Sequence, residues 1–300
     1  MKHTQHIVAS LVIGLLSSAA FAGDDAHPVT LWRITGEANS VYLLGSIHLL
    51  REQDYPLPGV IDEAYGDADV VIMELDMDDM DPVYAQAAFN RAGVMTDGTT
   101  LQDLMGDDAY AEAAEFAAQL EIPLDMLAQS EPWLAALTVE LLMLYRIGFN
   151  PELGVEMTVM QRATRDGKPI EGLETIDEQL AFLDGLPLDV QRKMLLQTLA
   201  EGAALHETID DLIRAWHHGD TAALEEGLLE SVGEQDTFTE VLIHDRNRRW
   251  AETIVGWLDD DQDYLVVVGA LHLVGEQGVP ALLDDRGFGI HQLSEPATVR

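Results

Sequence analysis

The chain has 300 residues, of which 54 are acidic and 16 basic, giving a formal charge of −38. An apolar content of 47% is enough to bury a sizeable core, which excludes general disorder despite the charge. The absence of cysteine excludes disulfides, thiolate zinc sites and a cysteine nucleophile; the strongly negative charge, with no basic stripe, argues against nucleic acid as a partner.

In chain order, Lys2 precedes an apolar run from Ile7 to Leu16, and Ser18-Ala19-Ala20-Phe21-Ala22 follows. This is the layout of a secretory signal peptide over residues 1–22, with cleavage expected after Ala22. The mature chain, 23–300, would begin at Gly23 and be periplasmic or secreted. The run is short for a permanent span, and no later stretch reaches eighteen uncharged apolar residues, so no stable membrane insertion is expected after cleavage. Removing one lysine and no acid takes the charge to −39.

Thr30 to Thr35 and Val41 to Ser46 are β-rich runs around Gly36-Glu37-Ala38-Asn39, the pattern of a hairpin. Pro58 to Asp67 reads as a short helix. Asp69 to Leu75 is a compact apolar run, as expected of a strand buried on both faces. From about 80 to 150 the pattern is helical, broken at Gly93, Gly98, Gly106, Pro123 and Pro132. Gly154 to Arg165 is a further helix and Lys168 to Leu173 a brief strand. Residues 176–258 are again helical, with breaks near Pro187 and Gly219. Tyr264 to Val268 is the most apolar strand, a helix covers Val279 to Asp285, and Gly289 to Leu293 closes as an edge strand. Short strands separated by helices predict an α/β fold with a mixed, mostly parallel sheet. No Pro-, Gly- or Ser-rich linker divides the mature chain, so it reads as one domain with helical insertions at 80–150 and 176–258.

An internal echo carries the strongest chemical signal. Residues 45–56 read Gly-Ser-Ile-His-Leu-Leu-Arg-Glu-Gln-Asp-Tyr-Pro, and 269–280 read Gly-Ala-Leu-His-Leu-Val-Gly-Glu-Gln-Gly-Val-Pro, with six identities in twelve positions. Each copy follows an apolar strand, so the fold is expected to contain a pseudo-repeat of strand-to-loop junctions. Gly45 and Gly269 would permit a tight exit and close backbone approach. His48 and His272 would then sit just beyond the strand ends. Glu74 lies at the carboxyl end of its strand, and Glu174 just past the end of the next. Open parallel sheets bind ligands at that edge. Two imidazoles and two carboxylates there are a ligand set for zinc, manganese or cobalt. Such a metal could polarise a carbonyl and acidify water, with a spare carboxylate as general base. Glu74, costly to bury alone, requires a functional or an arginine partner. Glu174 could instead cap the helix that begins near Ile176. Arg246 or Asn247, within a helix, could clamp a substrate or orient a ligand. Glu156 lies in the first turn of the Gly154 helix, where a carboxylate is favoured. No Gly-x-Ser-x-Gly elbow, Walker loop, Rossmann fingerprint or His-Glu-x-x-His helix occurs.

Tyr42-Leu43-Leu44-Gly45-Ser46-Ile47-His48-Leu49, Glu74, Gly154-Val155-Glu156, Gly172-Leu173-Glu174, Arg246-Asn247 and Gly269-Ala270-Leu271-His272-Leu273 together resemble the TraB/GumN family. That family is similar to the animal Tiki proteins and, more distantly, to erythromycin-esterase-like and ChaN-like proteins. The resemblance spans about Leu31 to Leu293. It implies an α/β core with a pseudo-repeat and metal-dependent peptidase chemistry of the kind attributed to Tiki proteins, with manganese or cobalt. It makes His48 and His272 the paired motif histidines, Glu74 the motif carboxylate and Arg246-Asn247 the helical polar pair. The sequence expectation is therefore an exported metal-dependent hydrolase acting on a peptide or small-molecule substrate. His48, Glu74 and His272 would be its metal ligands, and Glu156 or Glu174 the fourth ligand or base. The rival is a non-catalytic binder of a peptide, haem or metal.

Overall fold

The computed structural model describes residues 26–202, 204–232 and 236–296. The expected signal segment lies outside the described residues. Six strands form one sheet: β1 (His27–Thr35), β2 (Ser40–Ser46), β3 (Val70–Leu75), β4 (Ile170–Glu174), β5 (Tyr264–Gly269) and β6 (Ile290–Glu295). Their order is β4-β3-β5-β2-β1-β6. β4, β3, β5 and β2 pair in parallel, while β1 runs antiparallel to both β2 and β6. The hairpin, the doubly buried strand and the edge strand stand where the sequence places them, and the fold is α/β with a mostly parallel sheet. Glu174 is the last residue of β4 rather than a residue beyond it.

Alternation along the strands splits the core in two, because successive side chains point to opposite faces. On one face Leu31, Leu44, Val71, Met73, Leu265 and Val267 meet the helices Gly59–Asp67, Val155–Asp166 and Leu205–His217. On the other, Ile34, Leu43, Val70, Ile72, Val266 and Val268 meet Trp250, Ile254 and Leu258 of the helix Asp245–Trp257 and its C-cap, together with Val279 and Leu283. Helices therefore cover both faces, which is why β3 and β5 read as continuous apolar runs instead of alternating ones. A separate apolar cluster joins the helices Leu101–Met105, Asp107–Gln119, Pro132–Arg146 and Leu188–Glu201. The two long helical stretches thus pack on each other as well as on the sheet. Among the described residues no helix is long and apolar enough to cross a membrane.

The echo has a structural counterpart. β2 and β5 are adjacent and parallel, with Leu44 opposite Val267 and Ser46 opposite Gly269. The spatial register differs by one residue from the sequence echo, since Gly45 faces Val268. Across the sheet the carboxyl ends of β4, β3, β5 and β2 form one edge. Along it come Glu174, Glu74, the loop to His272 and the loop to His48.

Candidate metal centre

Glu74 follows Val70 and Ile72 at period two, so it faces the helix Asp245–Trp257. That helix lays Asn247, Trp250, Ala251 and Ile254 on the sheet, and Arg246 opens the same buried stripe at the strand ends. A single π-helical turn, Glu240–His244, precedes it, and Arg246 Nη1 donates to the Leu242 carbonyl at 3.1 Å. Such turns often occur at functional sites, where they re-aim a helix face.

Arg246 is the hub. Its Nη2 donates to Glu74 Oε2 at 2.6 Å and to Glu174 Oε2 at 2.8 Å, while Nε reaches both Glu174 oxygens at 3.0 and 3.1 Å. Arg249 adds a further bond to Glu174 Oε1 at 2.9 Å. With a side chain 2% exposed and two arginines on it, Glu174 has no oxygen to spare for a metal in this arrangement. Nor does it cap the next helix, whose capping box is formed by Thr175 and Glu178. Glu74 Oε1 accepts from the Gly269 N–H at 2.8 Å, and Gln179 Nε2 donates to Glu74 Oε2 at 3.1 Å.

Asn247 orients His272. Its amide nitrogen donates to the Gln277 carbonyl at 2.8 Å, which turns Oδ1 toward His272 Nδ1 at 2.6 Å. Nδ1 therefore carries the proton, and Nε2 accepts from Arg246 Nη1 at 3.2 Å. Trp250 packs against the ring. Asn247 is completely buried, so of its two foreseen roles the structure suits orienting a ligand and not touching substrate. Burial pushes His272 down to about 3, leaving it neutral at ordinary pH. Burial also works to raise the Glu74 carboxyl, but the pull of His272, Arg246 and His48 and the Gly269 N–H outweigh it and hold Glu74 at about 2. Since His272 is neutral, Arg246 is the standing cation beside Glu74.

The other half of the site is built by backbone docking. The Val155 N–H donates to the Ile47 carbonyl at 3.1 Å, and Gly154 has no Cβ because the His48 carbonyl occupies that space. This contact brings Glu156 of the following helix under His48, with Oε1 at 2.5 Å from Nδ1 and the Ser46 hydroxyl donating to the same oxygen. The Glu156 charge raises His48 to about 9, against the opposing effect of burial. Burial works to raise Glu156, but the His48 charge and its hydrogen bonds outweigh it and leave Glu156 below the usual carboxylate range.

Both histidines thus have Nδ1 engaged by an acceptor, as metal-ligating histidines commonly do. A Cβ placed on Gly269 would lie 3.4 Å from Glu74 Oε1, 3.6 Å from His272 Cδ2 and 3.7 Å from His48 Nε2. Two candidate donor atoms, Glu74 Oε1 and His48 Nε2, and the edge of the His272 ring therefore border the space that the missing side chain leaves. By donor type these three side chains suit a divalent cation. Among the described residues no three His, Asp or Glu side chains stand close enough together to hold an ion as placed. His272 Nε2 and Glu74 Oε1 are 4.0 Å apart, and Arg246 covers the Nε2 lone pair. Loading would require Arg246 to give up His272 while Glu174 keeps hold of it.

The TraB/PrgY/gumN family pattern matches residues 30–292. The chain belongs to that family. Family members similar to it include "Uncharacterized protein YbaP" of Escherichia coli (strain K12), 25% identical over 256 residues covering 81% of this chain and 87% of the relative. A "Metalloprotease TIKI homolog" of Amphimedon queenslandica is 28% identical over 162 residues, covering 44% of this chain and 31% of the relative. No solved structure matches.

Sequence reasoning missed Gln179, Arg249, Ser46 and Trp250. Ser46 stood inside the echoed motif, and the Thr175–Glu178 capping pair fixes where Gln179 falls. Trp250, one turn after Arg246, was legible only as an apolar helix position.

Proposed function

We propose that this protein is an exported metal-dependent hydrolase that cleaves peptide bonds, with His48, His272 and Glu74 as the metal's protein ligands. One observation carries the reading: two histidines with Nδ1 engaged and one carboxylate oxygen border the same small space over Gly269. Family membership and the name of the Amphimedon queenslandica relative support hydrolysis. Export rests on the apolar run and small residues before Gly23. A manganese, cobalt or zinc ion bound there would polarise the scissile carbonyl and acidify a water.

The remaining roles belong to the chain. Glu156 holds a proton on His48 Nδ1 and so turns Nε2 toward the substrate side. Asn247 does the same for His272. Gly269 N–H and Gln179 hold the two Glu74 oxygens in place. Arg246, anchored by Glu174, which Arg249 also holds, supplies the fixed positive charge beside the reacting carbonyl, the kind of preorganised group that stabilises a developing oxyanion. Its anchors keep it close when it leaves His272.

Metal content of the purified mature chain, measured with cleavage of a peptide library, tests the proposal. Bound metal with multiple turnovers that a chelator stops is the expected result. Stoichiometric peptide capture without turnover would favour a binder, and folded protein that neither binds metal nor cleaves would end the hydrolase reading.

A further inference from the structure

We infer that His27 and His218 form a second metal site, apart from the centre over Gly269, for a divalent cation that favours imidazole: copper, nickel or zinc. His27 opens β1, and His218 is the C-cap of the helix Leu205–His217. Their ring centroids lie 4.8 Å apart, with the planes tilted by 38°.

Hydrogen bonds decide which ring nitrogens are available. His27 Nδ1 donates to the Pro28 carbonyl at 3.0 Å, and His218 Nδ1 donates to the Arg214 carbonyl at 2.8 Å. A carbonyl can only accept, so each Nδ1 carries the proton and each neutral ring keeps its lone pair on Nε2. Neither Nε2 has a hydrogen-bond partner among the described residues. Metal-ligating histidines are commonly held in this way, by Nδ1–H on a backbone carbonyl with Nε2 left for the ion. His217, the adjacent residue, does not share the pattern, because its Nε2 donates to the Asp54 carbonyl at 2.9 Å. His27 is half-buried and His218 exposed, so ions from solvent reach the pair.

The spacing suits two ligands of one ion. An imidazole nitrogen binds zinc at about 2.0–2.1 Å and the ring centre lies about 1.2 Å farther on, which puts the ion about 3.2 Å from each centroid. Centroids 4.8 Å apart then subtend roughly 100° at the ion, between the square-planar and tetrahedral values. The backbone fixes that spacing. The Thr30 hydroxyl donates to the Trp216 carbonyl at 2.7 Å, and Gln292 Nε2 donates to the Val29 carbonyl at 3.0 Å and the Gly219 carbonyl at 2.8 Å. A Cβ on Gly219 would lie 2.7 Å from both the Pro28 and Val29 carbonyl carbons, so the two segments touch backbone to backbone. Binding therefore orders little that the fold has not already ordered. Glu295 lies opposite His27 on β6 and gives an ion a negative neighbour on the same face. Among the described residues no three His, Asp or Glu side chains close into a ligand set as placed, so water fills the remaining positions. Two imidazoles with water select copper, nickel or zinc over manganese, magnesium and calcium, which prefer oxygen ligands.

The test titrates the untagged mature chain, stripped by a chelator, with copper, nickel, zinc and manganese by calorimetry. His27→Ala, His218→Ala and His291→Ala are titrated alongside, the last as a control on β6. The centre over Gly269 is common to all of these proteins, so differences between them report the pair alone. Copper should bind at least about tenfold more weakly to the pair's site in His27→Ala and in His218→Ala, and as in wild type to His291→Ala. Manganese uptake should be the same in every protein. Urea midpoints in chelator check that the variants fold. Broadening of the His27 and His218 ring-proton signals by copper in the wild type reads the same site without substitution. Copper uptake unchanged in His218→Ala would overturn the inference, since it assigns the ion elsewhere on the chain. An equal loss in His291→Ala would overturn it as unspecific binding to surface histidine, and so would copper that leaves the two ring signals sharp.

Discussion

The echoed glycines look equivalent in sequence, and their surroundings predict opposite outcomes for the same substitution. At Gly45 an added Cβ would lie 2.5 Å from the Thr30 methyl and 3.2 Å from Ala270 Cα. The second neighbour is backbone and cannot rotate away, so Gly45→Ala should destabilise by about 1–3 kcal/mol, the usual cost of overpacking. At Gly269 the backbone has φ −51° and ψ 137°, which alanine adopts freely. Its Cβ would meet only ordinary contacts of 3.4–3.7 Å. Gly269→Ala should therefore leave stability unchanged or raise it by about 0.4–1 kcal/mol through loss of unfolded-state freedom. The Gly269 N–H still reaches Glu74, so the carboxylate keeps its place. The methyl, however, fills the space bordered by Glu74 Oε1, His272 and His48 Nε2. Affinity for manganese or cobalt should fall about tenfold or more, on the scale of losing a supporting contact at a metal site. Urea unfolding in chelator gives the stability, and calorimetry with each ion gives the affinity. A Gly269→Ala protein that binds metal as well as wild type would show that the space over Gly269 is not the metal site.

Further outcomes follow from the same geometry. Glu74→Gln removes the negative partner of Arg246 Nη2, and because Glu174 still holds that arginine the metal-free protein should lose about 2–3 kcal/mol, at or below the range for breaking a buried pair; unchanged urea midpoints in chelator would deny the pairing its structural weight. Asn247→Leu strands the His272 N–H and should cost about 1–3 kcal/mol, together with a metal affinity lowered about 10–100-fold, both read by melts with and without manganese. A chain of charge −38 repels itself, so its melting temperature should rise between 0.05 and about 1 M sodium chloride; a flat salt profile would contradict this. Intact mass of the exported protein should correspond to a chain starting at Gly23, and retention of Met1 would refute cleavage.

Local pattern determined much of this protein. The continuous apolar runs at 70–73 and 264–268 identified strands covered on both faces, because only burial on two sides dispenses with alternation. Glycine and proline marked the helix breaks at 93, 98, 106, 123 and 132, since those residues act through their own backbone. The echo located His48 and His272, and the apolar setting of Glu74 required a partner for it. What the sequence left open was which partner. Arg246 is 172 residues from Glu74 and meets it only because a helix packs across the ends of β3 and β5. The same packing turned Asn247 inward to His272 and joined Glu174 to two arginines. Periodicity specifies which face of an element is buried. The group across from that face depends on how distant elements cross, and that is fixed only when the whole core packs.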